Sequence, residues 1–331
     1  MANITFSFGS GLNDSIFGKS QAPIKALIER RAEAFEQQSM LKYIFNMGSS
    51  KHFGEKFSTM TAMDGPEPVG EGGAYPVDGT QVGFEKVIEH MVWKDSFGLT
   101  REAVDDASIV DLRKRPTNFT AGFYRTREKF GAAMLAGGLG TSITFKGKPF
   151  DTRAADGKAL FATDHPAKVK GAAQSNKFAG AFSKDNLGKL ETRMQNFLGD
   201  NKEELAVAPD TIIIPNDAAT KNKVFEAIGS DKDPSTSNNG FNYQYGRWNV
   251  IVWPYLNGLI PSSGDVPWIL LDSSYNELYD SAVWLQRKKM EVRSELAAND
   301  DNIWKGYERY GVGFNDWRGF AIGGVTGGST L

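Results

Sequence analysis

Thr163, Asp164 and His165 stand side by side in GKALFATDHPAKVKG (157–171): a hydroxyl, a carboxylate and an imidazole in consecutive positions. A nucleophilic triad needs such groups to converge in space, with the base within hydrogen-bond reach of the nucleophile. Three neighbouring side chains fan apart instead. The stretch reads as a turn before Pro166, in which Asp164 bonds to nearby backbone. The other histidines are His52 and His90, and no pair has the i, i+4 spacing of a helical metal site. The chain has no cysteine, which removes disulfides, thiolate metal sites and a cysteine nucleophile.

NDSIFGKS (13–20) approaches a phosphate-binding loop, with Gly18, Lys19 and Ser20 in place. Asn13 stands where the first glycine belongs, and that glycine lets backbone amides close on the phosphates. PWILLD (267–272) would supply an apolar strand ending in a magnesium-binding Asp272. The competing reading is therefore a nucleotide hydrolase built on Lys19 and Asp272, but the chain between them lacks alternating strand and helix order. GGLGTS (137–142) follows a helix pattern rather than a strand, so it reads as helix termination. Asn299, Asp300, Asp301 and Asn302 lack calcium-loop spacing and read as a solvated turn.

The elements that would position these groups follow from periodicity. NITFSF near the start is a short strand or an extended arm. Residues 22–45 form a helix with Pro23 in its first turn and Ile24, Leu27, Ile28, Ala34, Phe35, Leu41 and Ile44 on one face. Residues 57–100 make a long two-stranded excursion with a Gly/Pro-rich tip, too long for an ordinary connection. Thr100 caps a short helix holding Ala103 and Val104. Pro116 opens a longer helix with Phe119, Phe123, Phe130 and Met134 in one stripe, ended by Gly137 and Gly138. Ser183 caps another helix. DTIIIPNDAATKNKVFEAIGS reads as buried strand, proline stop and helix, and YGRWNVIVWPYL, PWILLDSS and AVWLQRKKMEVRSEL as strands. Strands and helices mix without a βαβ repeat, which gives an α+β class.

The 331 residues carry a net charge of −2, 40% hydrophobic and 24% charged residues. These are values of a folded chain, and nothing in the balance asks for tight nucleic-acid binding. No apolar run is long enough to span a membrane, and the start lacks the pattern of a signal peptide. Soluble, unexported and made in a reducing cytosol is the reading that fits.

In order, EPVGEGGAYP, DLRKRPTNFTAGFYRTREKFGAAML, DGKALFATDHP, PDTIIIPNDAATKNKVFEAI, YGRWNVIVWPYL and WRGFAIGG resemble the major capsid proteins of tailed phages. The likeness is to the Johnson, or Hong Kong 97-type, fold and within it to Mu-like major head subunits. It covers the chain from about residue 22 onward. It implies an N-terminal arm (1–50), an extended loop (51–95), a peripheral domain with a spine helix (96–184), an axial domain (185–295) and a return to the peripheral domain (296–331). It implies a structural protein rather than an enzyme, without cofactors. Copies would self-assemble into hexamers and pentamers of an icosahedral shell around double-stranded DNA, in the host cytoplasm and then in the virion. Separate scaffold, portal and decoration proteins, and non-specific contact with DNA, come with that reading. An encapsulin-type compartment shell is the alternative within the fold.

The resemblance lays the extended loop across a neighbouring subunit. From Phe57 to Glu85 the loop holds acidic residues, Asp64, Glu67, Glu71 and Asp78 among them, and no Lys or Arg. With Tyr75 these are the expected contact residues. Arg113, Lys114 and Arg115 before the spine helix, and Arg125 and Lys129 on it, are the expected basic partners. In one member of the fold a loop lysine attacks a neighbour's asparagine. Here Lys56 and Lys86 sit only at the loop's roots, so no covalent cross-link is expected. One amphipathic helix fills much of the first fifty residues, so an uncleaved chain and a separately encoded scaffold are expected.

Overall fold

Two four-stranded sheets organise the chain, and each grows from a different sequence pattern. The computed structural model describes residues 15–60, 66–77, 82–100, 109–232, 240–297 and 301–331. The expected NITFSF strand, Asp64, Asp78, the short helix at Ala103 and Val104, and Asn299 and Asp300 lie outside the described residues.

The first sheet has the order β1-β10-β11-β4. It is centred on two long antiparallel strands, β10 (Ala282–Leu296) and β11 (Asn302–Phe314). Alternate residues of β11 point inward, so Trp304, Gly306, Glu308 and Tyr310 are buried while Lys305 is exposed. β4 (Met91–Leu99) pairs antiparallel with β11, and β1 (Asn46–Ser49) pairs parallel with β10. β2 (Gly54–Met60) and β3 (Val82–Glu89) form a separate antiparallel hairpin. The sequence excursion is thus two-stranded, as expected. Its alternating run from Glu85 to Thr100 is split at His90 between two sheets.

The second sheet has the order β12-β9-β7-β8: β7 (Thr211–Ile214), β8 (Asn249–Val252), β9 (Trp268–Leu271) and β12 (Phe320–Gly323). Every residue of β7, β9 and β12 is buried. That explains their unbroken apolar runs, since a strand covered on both faces has no polar side to alternate. β5 (Ser142–Phe145) and β6 (Lys148–Asp151) form a small hairpin.

The helices are α1 (Ser15–Gln38), α2 (Leu41–Ile44), α3 (Ile109–Gly137), α4 (Lys184–Gln195), α5 (Ala218–Ile228) and α6 (Ser273–Tyr279). Ser183, Asp217 and Asp272 cap the last three through their side-chain oxygens, each accepting from a backbone N–H of the first turn. The stripe Phe119, Phe123, Phe130, Met134 is buried, as its spacing predicts. Phe119 and Phe123 pack with Ile24 and Ile28 of α1 and with Leu99, Val292 and Trp304 of the first sheet. Gly306 lets them in: a Cβ there would stand 2.6 Å from Phe119 and 2.7 Å from Phe123.

Two helix expectations need correction. The helix placed at 22–45 begins at Ser15, so Pro23 is not in its first turn, and it breaks at Ser39 and Met40 before α2. Glu128 of α3 makes that break. Its Oε1 accepts from Ser39 Oγ (2.6 Å) and from the Met40 N–H (3.2 Å), replacing the carbonyl that a continuous helix would offer. Ala34, expected on the apolar face, is exposed. The second helix begins at Ile109, so Pro116 lies inside it rather than opening it. Proline there forfeits one helical hydrogen bond, and Thr120 Oγ1 donates to the Pro116 carbonyl (2.9 Å) one turn on.

One apolar cluster runs from Leu41 and Phe45 through Phe130 and Trp284 to Ile212, Trp268 and Ile322. It joins both sheets. β10 lies in the first sheet and β12 in the second. The mixed helix and sheet class expected from the sequence is the observed one.

Candidate intersubunit surface

The hairpin of β2 and β3 is pinned at its base and bare at its tip. At the base, Thr59 Oγ1 accepts from the Phe84 N–H (2.8 Å), and Lys56 pairs with Glu85 (2.7 Å) across the strands. Gly83 sits close to the body: a Cβ there would meet Thr59 Oγ1 at 2.3 Å and Asp200 Oδ2 at 3.2 Å. Lys168 Nζ lies 4.9 Å from the centre of the Phe84 ring. Lys86 folds back, donating to the Arg153 carbonyl and lying 3.6 Å from Asp151. Burial draws its pKa below the ordinary lysine value, and the Asp151 charge opposes that shift.

At the tip, residues 66–77 have no regular structure and all are exposed, Tyr75 at 94% and Val77 at 98%. The Gly73 N–H donates to Gly70 O (2.9 Å), and Gly72 takes a φ of +77° that favours glycine. Among the described residues, no hydrogen bond or ion pair ties this tip to the rest of the chain. Glu67, Glu71 and Tyr75 therefore stand free on the surface.

The expected basic partners fall into two groups on α3. Arg115 donates from Nη1 to the Gly98 carbonyl (3.0 Å), and Lys114 beside it is exposed. Arg113 belongs to the same helix, but its side chain is outside the described residues. Eleven residues on from Lys114, or about 16 Å along the axis, Arg125 and Lys129 are exposed one turn apart. They line a groove of about 420 Å³ with Lys94, Lys146, Trp93 and Asp95.

The charged groups that hold this surface rigid were not visible as a pattern. Arg127 turns inward from α3, with Nε 2.5 Å from Glu308 and Nη1 3.3 Å from Glu36 of α1. It also donates to Gln286 (2.6 Å). Burial pushes the Glu308 carboxyl up to about 7, against the attraction of Arg127. Glu128, next in sequence, accepts from Ser39, Met40 and, through Oε2, from Trp253 Nε1 (3.0 Å). Its pKa is raised by burial, with those three bonds opposing. Arg318 bridges Asp200 (2.7 Å) and Asp316 (3.3 Å) below the hairpin base, and its own pKa is raised by those partners against the cost of burial.

The catalytic candidates resolve into framework. His165 is fully buried, with Nδ1 2.6 Å from Asp156, Nε2 3.1 Å from Asn176 and its ring stacked on Trp317 at 4.3 Å. Its backbone pairs both ways with Gln174. Thr163 takes no part in this, and Asp164 points outward to Lys158 (2.5 Å) as well as bonding to its own backbone. Asp272 caps α6 and accepts from the Ala208 N–H (2.7 Å), so its oxygens are occupied. Gly18, Lys19 and Ser20 lie within α1 rather than in a loop between strand and helix, which removes the phosphate-loop geometry. Gly137 to Gly140 close α3 with the turns expected of a helix end.

Among the described residues no group of His, Asp and Glu side chains is placed to hold a metal ion, and no helix is long and apolar enough to cross a membrane. No curated protein matches the chain by sequence. A structure from Mycobacterium phage Patience matches with a TM-score of 0.52 at 11% identity, over 92% of this chain and 88% of that one. The capsid structure of cyanophage P-SCSP1u matches with a TM-score of 0.52 at 10% identity, over 87% and 88%. At such identities the likeness establishes a shared fold, the Hong Kong 97-type fold expected from the sequence. The family described as phage capsid protein matches residues 85–323, well over half of the chain, and the match takes in α3, the β4, β10 and β11 strands of the first sheet and the whole of the second. The chain therefore belongs to the phage capsid protein family and is a major capsid protein, a structural subunit that assembles with copies of itself into the shell of a virion.

Proposed function

We propose that this subunit forms the hexamers and pentamers of an icosahedral head around double-stranded DNA, and that the β2–β3 hairpin is its reaching contact. The observation that supports this is the bare tip. A segment of exposed backbone with Tyr75 and Val77 almost fully in solvent buries little against the described residues of its own chain and calls for a neighbour's surface. The tip carries Glu67 and Glu71, with Asp64 and Asp78 in the flanking sequence. The fitting surface is basic, and Arg125 and Lys129, with Lys114 and Arg115 further along α3 and Arg113 beside them, supply it. Exposed pairs contribute only about 0–1 kcal/mol each, so their role is register and partner choice.

In this reading α3 is the spine of a peripheral domain (96–184, with the return 296–331), and β7, β8 and β9 of the second sheet are the centre of an axial domain (185–295), joined there by β12 from the return. The subunit is structural and has no catalytic step. It acts first in the host cytoplasm, with separate scaffold, portal and decoration proteins, and touches packaged DNA without sequence preference. Velocity sedimentation of the purified chain tests the core of this. Particles of megadalton size with nuclease-protected DNA in the native form are expected. A stable monomer or small oligomer under all assembly conditions contradicts it.

A further inference from the structure

β8 closes one edge of the second sheet, and among the described residues half of its backbone is left without a ladder. Its parallel register sets Asn249 opposite Thr211 and Ile251 opposite Ile213. The Asn249 N–H donates to Asp210 O (2.8 Å) and the Trp253 N–H to Ile214 O (2.9 Å). In such a ladder alternate residues bond to one side, so Val250 and Val252 turn their N–H and C=O groups to the open side. The whole of β8 lines a groove of about 810 Å³ that it shares with α2 and β1. Into or beside that groove stand Met40, Tyr43 and Met47, exposed by 37%, 56% and 47%.

An unpaired edge beside an apolar wall fits an extended strand with one apolar face. The sequence holds such a pattern outside the described residues. In Asn3–Phe8, Ile4, Phe6 and Phe8 alternate strictly with Asn3, Thr5 and Ser7, with no charge and no proline. The hairpin tip is the poorer candidate, because Pro66, Pro68 and Pro76 lack the N–H groups that a ladder needs.

The same copy cannot deliver its own segment. The 24 residues of α1 make a rod of about 36 Å, and its C-terminal end leads through Met40 into the groove. The seven steps from Phe8 back to Ser15 cover at most about 25 Å, too short to return along that rod. We infer that the groove between β8 and the α2–β1 segment takes residues 3–8 of a second copy as an added strand. The inference rests on the self-assembly set out above and adds which surfaces meet. Each added strand makes only a few hydrogen bonds, but the contact repeats at every subunit of a shell and gains through that repetition.

The chain's lack of cysteine makes the test direct. Phe6→Cys is combined in turn with Val250→Cys, Ile251→Cys and Val252→Cys, particles are assembled and oxidised, and the products are separated in denaturing gels without reductant. Dimers and higher multimers from at least one pair, absent from each single variant, are expected. Normal particles that release only monomer from all three pairs overturn the inference while leaving the shell reading intact. An internally linked monomer overturns the second copy as occupant, and multimers formed by Tyr75→Cys with Val250→Cys in place of Phe6→Cys assign the groove to the hairpin tip. If the unmodified chain forms no particles at all, the shell reading fails, and this inference with it.

Discussion

Glu308 reaches the interior on an inward position of β11, where the Arg127 guanidinium lies beside it. Its folded-state pKa of about 7 lies above the ordinary 4.5. The folded chain therefore holds a proton that the unfolded chain has lost across that window, and this group makes stability fall as pH rises from about 4.5 through about 7. Glu308→Gln should remove that slope. Denaturant midpoints for wild type are expected to drop between about pH 5 and pH 8 by more than those of the variant, and parallel profiles would contradict the assignment. At the surface the expectation is different in kind. Glu67→Lys with Glu71→Lys should cut particle yield several-fold while leaving the subunit's circular dichroism and melting unchanged, because among the described residues no hydrogen bond or ion pair ties the tip to the body. Normal yield would remove the acidic contact. Acidity of the tip was legible in the sequence. The Arg127–Glu308–Glu36 cluster was not, because its members lie on three elements far apart in the chain and no spacing rule links them.

At the scale of elements, the junction of α1, α2 and α3 depends on one carboxylate. Glu128→Ala would leave Ser39, the Met40 N–H and Trp253 Nε1 without their shared acceptor, at a cost of about 2–4 kcal/mol. A fall in melting temperature with unchanged helix content is expected; no change would mean that water replaces the carboxylate without loss. This junction also shows where sequence reading stops. The aromatic stripe of α3, the cap at Ser183 and the buried strands TIII and WILL follow from local rules, and the structure has them. The break at Ser39 and Met40 has no glycine or proline to announce it, since its cause is 88 residues away. Pro116 misleads in the opposite sense: its local preference is a first turn, and tertiary packing of Phe119 and Phe123 carries the helix through it. The sequence reads His165 as part of a turn in which Asp164 bonds to nearby backbone. Its true partner, Asp156, is nine residues back and buried with it.

For the molecule as a whole, stability must come from burial repeated over many interfaces. The hairpin roots offer no free amine at the reaching end: Lys56 pairs with Glu85, Lys86 is held by Arg153 and Asp151, and the chain has no cysteine. Particles boiled in denaturing detergent should release a single band near 36.3 kDa, whereas a surviving ladder would show a covalent link. Interfaces that bury over about 2,000 Å² each are sufficient to hold such a shell without covalent bonds. The order of motifs along the chain was enough to expect a capsid subunit, since each element has a fixed place in that fold; which surfaces meet was not, because interface partners leave no periodicity behind. Electron microscopy of the purified particle tests the central claim most directly. The expected image is a closed icosahedral shell whose reconstruction resolves rings of five and six subunits, with the β2–β3 hairpin of each lying over α3 of a neighbour. Discrete small oligomers, or a shell in which every hairpin tip projects into solvent, would contradict it.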